Sequence, residues 1–186
     1  CYQSGKLVVQ GRGADAFGVR FLPGRGARPK KHKVADDLPD FDLAALGSDE
    51  AGKGDTFGSL VVAAVAWPAG GHAEIARMGV TDSKALGDDR IRVLAPAIAE
   101  RLPHAVRALA PPEYNERWAA ARNVNTLLAE LHLETLSELA ADAAARVIVV
   151  DQFSTRRPVQ AAWRRKHPDW RCYEVPRAER HPAVAA

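Results

Sequence analysis

The chain has 186 residues, 47% of them hydrophobic, enough for one sizeable core with a small appendage. Its formal charge of +3 is too mild to define a partner, and two cysteines without metal or disulfide spacing give no argument for a zinc module or a disulfide-stapled fold. Nothing approaches the ~18 consecutive apolar residues of a membrane span, and no signal-peptide pattern opens the chain. A cytoplasmic protein with no membrane partner is therefore expected. The chain opens on Cys1 and closes on Ala183-Val184-Ala185-Ala186, and we read it as a piece cut at both ends.

In chain order, Gly5-Lys6-Leu7-Val8-Val9-Gln10 predicts a strand ended by Gly11-Arg12-Gly13, followed by a helical or turn segment from Ala14 to Phe21. Pro23-Gly24-Arg25-Gly26-Ala27-Arg28-Pro29-Lys30-Lys31 has linker composition. A new domain begins at about Leu43, with strands predicted over 44–50 and 57–67 and a third over 105–109, stopped by Pro111-Pro112. Between them, Ile91, Leu94, Ala95, Ile98 and Leu102 recur at helical spacing, although Pro96 threatens to divide that helix. The longest helical pattern runs from Asn125 to Ala145. It leads into Val147-Ile148-Val149-Val150-Asp151, a buried strand, and a last strand is expected over Trp170–Val175 before Pro176. Alternating helices and buried strands argue an α/β sheet domain. The divisions are 1–22, 23–42 (linker) and 43–186.

The most informative stretch is Gly47-Ser48-Asp49-Glu50-Ala51-Gly52-Lys53-Gly54-Asp55, two adjacent carboxylates running into a glycine-rich turn between apolar runs. Acids in buried β-structure are costly unless a cation compensates them. Glycines let backbone N–H groups approach a ligand closely. Asp151 closes an apolar strand, where α/β domains place functional groups, and it serves equally as the cap of a following helix. Glu179 follows the last strand and reads, taken singly, as a solvated acid at a helix start. Successive strand side chains face opposite ways, so Asp49 and Glu50 share one site only if the backbone twists there or the strand is ending. Four converging acids would not all stay ionised without cations. Two hard divalent ions, ~3.5–4 Å apart, would solve that problem and suit phosphodiester hydrolysis. Two clusters, Arg20, Arg25, Arg28, Lys30, Lys31 and Lys33, and Arg156, Arg157, Arg164, Arg165, Lys166, Arg171 and Arg177, suit a polyanion, and equally a basic linker and a solvated helix face.

The motif of residues 47–55, continued by Phe57-Gly58 and Val61-Val62-Ala63-Ala64, resembles the first catalytic motif of type 2 ribonucleases H. Val80-Thr81-Asp82-Ser83-Lys84-Ala85-Leu86 resembles that family's Asp-Ser-Lys segment. Within the family, Asp55, Tyr114-Asn115, Asn123-Val124-Asn125, His132, Val150-Asp151-Gln152-Phe153 and Arg177-Ala178-Glu179 resemble the ribonuclease HIII pattern more than that of ribonuclease HII. Tyr2 to Gly11 is similar to the end of the TATA-box-binding-protein-like N-terminal domain of ribonuclease HIII.

The resemblance implies an RNase H-like fold, a mixed central sheet flanked by helices, and cleavage of the RNA strand of RNA–DNA hybrids to 5′-phosphate and 3′-hydroxyl ends. It also implies Asp49, Glu50, Asp151 and Glu179 as catalytic ligands of two Mg²⁺ or Mn²⁺ ions, and it points to no protein partner. Gly52, Lys53 and Gly54 would meet the substrate strand, close enough to sense a 2′-hydroxyl. Ser83 and Lys84 would contact phosphate, unless Asp82 or Ser83 merely caps a helix beside a solvated lysine. Tyr114 and Asn115 would bind substrate, or terminate a turn. His132 reads as packing, and so do Trp163 and Trp170, although these two stand among basic residues as stacking groups would. Two other functions fit parts of the pattern: a non-catalytic hybrid-binding fragment, and ribonuclease HII-like cleavage at single embedded ribonucleotides.

Overall fold

The structure, a computed structural model, describes residues 20–21, 38–55 and 57–186. The chain divides into two units, Cys1–Asp36 and Asp37–Ala186. In the first, only Arg20 and Phe21 are described, as helix. The strand predicted over 5–10, the turn after it and residues 23–37 of the predicted linker lie outside the described residues.

The second unit is built on five strands: β1 (Ala45–Ala51), β2 (Leu60–Trp67), β3 (His104–Leu109), β4 (Val147–Asp151) and β5 (Arg171–Val175). Their order is β3-β2-β1-β4-β5. The pairs β1/β2 and β2/β3 are antiparallel, while β1/β4 and β4/β5 are parallel, so β1 is the junction of two halves. The helices are α1 (His72–Met78), α2 (Asp88–Arg101), α3 (Pro111–Ala121), α4 (Val124–Ala140), α5 (Pro158–Lys166) and the short α6 (Pro182–Ala185). This is the mixed sheet flanked by helices that the sequence predicts.

Strand alternation sorts the core into two layers. Ala45, Val65, Trp67, Val147, Val149 and Val175 face α1, α2 and the 178–186 segment through Ile75, Leu94, Ile98, Ala183 and Val184. Leu46, Ala64, Ile148, Val150 and Cys172 face the other way, onto Leu136 of α4 and Val159 and Trp163 of α5. Leu127, Leu128 and Leu131 extend that layer over Leu60, Val62 and Leu109. Trp163 and Trp170 are buried, so packing, not base stacking, is their role here.

Three departures from the sequence reading have physical causes. The helix α2 runs through Pro96 unbroken because that residue is exposed, where water can satisfy the carbonyl that loses its donor. Pro111-Pro112 opens α3 at its first positions, where a missing N–H costs nothing, so the residues read as a strand stop also start a helix. Strand β2 begins at Leu60, three residues late, because Gly54 and Gly58 hold left-handed φ of 85° and 101° in the loop before it.

Candidate active site

Ser48 pairs in register with Val150 across the parallel β1/β4 ladder, which sets Asp49 and Asp151 level at the carboxyl ends of adjacent central strands. Both project toward the 178–186 segment, on the face of Ala45 and Val149. Asp49 Oδ1 accepts the Glu50 N–H at 2.8 Å. Burial pushes its carboxyl up to about 6 against that hydrogen bond, and the charges of Glu50 and Asp151 push the same way. Asp151 does not cap α5. Its Oδ1 accepts the Ala178 N–H at 2.9 Å, fastening the turn that carries Glu179 to the end of β4. That turn is a single 3₁₀ turn, Ala178–Arg180, entered through Arg177 at a left-handed φ of 58°.

Glu50 takes the opposite face, as an unbroken strand requires. Its Oε2 lies 3.3 Å from His132 Nε2 on α4 and its Oε1 3.5 Å from Lys53 Nζ. Burial raises its carboxyl, but the hydrogen bond and charge of His132, then of Lys53, outweigh that and hold it below the usual range. The backbone does not twist to turn Asp49 and Glu50 to one side, since β1 pairs with β2 through Ala51; the strand ends there, one residue past Glu50. Among the described residues, no group of three or more His, Cys, Asp or Glu side chains is gathered closely enough to hold a metal ion. The chemistry of the donors nonetheless fits one. They are hard carboxylate oxygens, and the Asp49 carboxyl is raised by burial and by like charges that a divalent cation would offset.

The loop after β1 supplies a second feature beside the acids. Gly52, Lys53, Gly54, Asp55, Tyr114 and Asn115 line one cavity of about 290 Å³, so five of the residues predicted to bind substrate converge there. At Gly52, with φ of 82°, a side chain would stand 2.3 Å from the Ser59 carbonyl oxygen, so only glycine fits. Lys53 joins the cavity to the acids through Glu50. Ser83 lies apart from these, in a cavity of about 190 Å³ that it shares with Asp49 and Glu50. Lys84 is exposed and its N–H donates to Asp82 Oδ1 at 3.1 Å, the capping geometry named above. A larger apolar cavity, about 430 Å³, is lined by Ala44 and Trp67 at the opposite end of β1 and takes no part in this arrangement.

His132 is where sequence reasoning fell short. It is fully buried, as a packing residue would be, yet it contacts Glu50 and Ser48. The signal was available in part: position 132 follows Leu128 by one turn of a helix whose apolar stripe must cover β1.

A five-stranded mixed sheet in the order β3-β2-β1-β4-β5, with acids near the ends of β1 and β4, is an RNase H-like fold. A sequence model described as Ribonuclease HII matches residues 46–186, and the chain belongs to that family. Ribonuclease HIII of Geobacillus kaustophilus is 41% identical over 166 residues, 83% of this chain and 53% of that protein. Ribonuclease HIII of Protochlamydia amoebophila is 36% identical over 186 residues, 100% of this chain and 61% of that protein. The chain thus spans little more than half the length of these relatives. The crystal structure of Bst-RNase HIII in complex with Mn²⁺ superposes with a TM-score of 0.68 at 35% identity, over 95% of this chain and 60% of that one. The RNase HII of the PCNA:RNase HII complex from Archaeoglobus fulgidus follows at 0.65 and 30% identity, over 77% of this chain and 68% of that one.

Proposed function

We propose that this chain carries the catalytic part of an endoribonuclease that hydrolyses the RNA strand of RNA–DNA hybrids, leaving 5′-phosphate and 3′-hydroxyl ends. One observation carries the reading: Asp49 and Asp151 stand level at the ends of adjacent parallel strands, and the half-buried Asp49 carboxyl is raised by burial and by its acidic neighbours. Asp49, Glu50, Asp151 and Glu179 are the residues that would hold divalent metal, two Mg²⁺ or Mn²⁺ ions. Bound there, such ions would supply positive charge to activate water and to stabilise a leaving oxygen. That a relative's crystal structure holds Mn²⁺ supports the choice of ion.

The chain's own residues do the rest. The Gly52-Lys53-Gly54 backbone approaches a ribose closely enough to test for a 2′-hydroxyl, and Tyr114 and Asn115 close the other wall of that cavity. Exposed Arg164, Arg165 and Lys166 at the end of α5, with Ser83 and Lys84, attract phosphates without reading bases. Residues 1–22 are taken as the end of a preceding substrate-binding domain and 23–42 as its tether, in a cytoplasmic protein. The ungathered acids favour one second reading, a hybrid-binding fragment without catalysis.

A labelled duplex containing an RNA tract, incubated with Mg²⁺, Mn²⁺ or EDTA, separates the two. Cutting within the tract that EDTA abolishes is the expected result. Retention of the duplex in a gel shift without cutting, under either metal, would leave the binding fragment instead. A companion duplex with a single ribonucleotide tests the ribonuclease HII-like preference.

A further inference from the structure

The Glu50 carboxylate is held from the side by a chain of contacts that the acids alone do not explain. His132 has no exposed surface, and both its ring nitrogens are partnered: Nε2 lies 3.3 Å from Glu50 Oε2 and Nδ1 2.7 Å from Ser48 Oγ. Ser48 in turn lies 2.9 Å from the Ala63 carbonyl of β2, so the ring is tied to the sheet backbone. Ser48 and Glu50 are two residues apart on one face of β1, and the imidazole bridges them. Ser48 gives its one hydroxyl proton to the Ala63 carbonyl, so it accepts from His132 Nδ1–H, while Nε2–H donates to Glu50. Phe153, two residues beyond Asp151, stacks on the ring at 5.2 Å with planes 7° apart. Lys53, the other partner of Glu50, sets its ammonium 5.3 Å from the centre of the same Phe153 ring. A residue serving only to fill volume would be leucine, as at 128, 131 and 136 of the same helix.

We propose that His132 is a positioning residue for Glu50, and that Phe153 is the platform on which both His132 and Lys53 hold that carboxylate. With Oε2 anchored on His132, the carboxylate is held against α4 in one orientation, and Oε1 stays turned toward Lys53. The inference rests on Glu50 being a metal ligand. Outer partners that orient a ligand typically change metal affinity 10- to 100-fold when removed.

The test is calorimetric titration of Mn²⁺ into the whole chain, with thermal unfolding of the metal-free protein alongside. The variants are Asp49→Asn, His132→Leu, His132→Gln and Phe153→Leu. His132→Leu keeps the volume and removes both hydrogen bonds, and Mn²⁺ affinity is expected to fall at least tenfold. His132→Gln offers an amide N–H to Glu50 and is expected to recover most of that loss, a rescue that a packing role would not produce. Should His132→Leu fail to fold, Phe153→Leu decides, with a loss of several-fold expected. Asp49→Asn separates the two levels of the argument. If wild type binds no Mn²⁺, or Asp49→Asn binds it as tightly, the metal site falls and the inference with it. If Asp49→Asn loses binding while folded His132→Leu or Phe153→Leu keeps wild-type affinity, the positioning role alone is overturned.

Discussion

Gly47→Ala is a one-carbon change with a computable consequence. A Cβ at Gly47 would stand 1.8 Å from the carbonyl oxygen of Ala183 and 2.1 Å from its carbon. Ordinary contact begins near 3.4 Å, so α6 must retreat by about 1.6 Å, and the obstacle is backbone, which has no rotamer to escape into. Retreat lifts Ala183 and Val184 out of their layer, together with buried His181. Overpacking costs about 1–3 kcal/mol, and partial exposure of a valine adds on the order of 1 kcal/mol. A destabilisation of about 3 kcal/mol lowers the melting temperature of a domain this size by roughly 6–12 °C. Circular dichroism melts of wild type, Gly47→Ala and the control Gly87→Ala measure it; nothing lies within 4 Å of a side chain added at Gly87. A Gly47→Ala melt within about 2 °C of wild type would refute the reasoning, because it would mean that α6 does not rest on β1. The same retreat strains the Asp151–Ala178 bond, so hybrid cleavage should fall by more than the loss of folded protein explains.

Asp151→Asn keeps an oxygen for the Ala178 N–H while removing the charge, so cleavage of the RNA tract should vanish with hybrid binding and melting temperature nearly unchanged; wild-type cutting would contradict the assignment. With the Asp49 carboxyl at about 6, a proton competes with metal below that pH, so Mn²⁺ affinity measured from pH 7 down to pH 5 should weaken, by up to about tenfold per unit below 6. The sign for metal-free stability is the reverse. The unfolded aspartate ionises near 3.8 and the folded one near 6, so stability is lost as pH rises between those values. Buried Glu174 behaves alike: burial raises its carboxyl to about 7 although the backbone N–H groups of Gln160 and Val159 bond to it. Glu174→Gln should therefore remove on the order of 2 kcal/mol of stability loss between pH 5 and 8, read from urea midpoints at both.

The acids were legible because their setting is local. An apolar run ending in Asp151, or a glycine turn after Asp49-Glu50, needs no tertiary knowledge to be recognised. Their separation onto opposite faces was equally legible, as period-two alternation, and the structure keeps it. Glu174 was not legible. In Arg171-Cys172-Tyr173-Glu174-Val175 it resembles an ordinary outward acid, and its burial follows only from α5, whose first-turn backbone N–H of Gln160 bonds to its carboxylate. His132 is similar: packing assigns it to the core, but only the register of α4 over β1 shows that the core there ends on a carboxylate. The α3 helix was lost because proline both ends a strand and begins a helix, and sequence spacing does not choose between them.

The place of β1 at the junction of the sheet has a consequence for synthesis. Strands β1 and β2 form an antiparallel hairpin from neighbouring stretches of chain, and β3 joins it after residues 68–103, so all three can pair before β4 exists. Strand β4, with Asp151, arrives only after the chain between Leu109 and Val147 has also been made. Until then β1 presents an open edge, and the three strands carry Asp49 and Glu50 without their partner. A nascent chain is thus barred from assembling the acid pair, however well its first half has folded. The same interval leaves an unpaired apolar edge exposed, so any slowing of translation between β3 and β4 should show as aggregation.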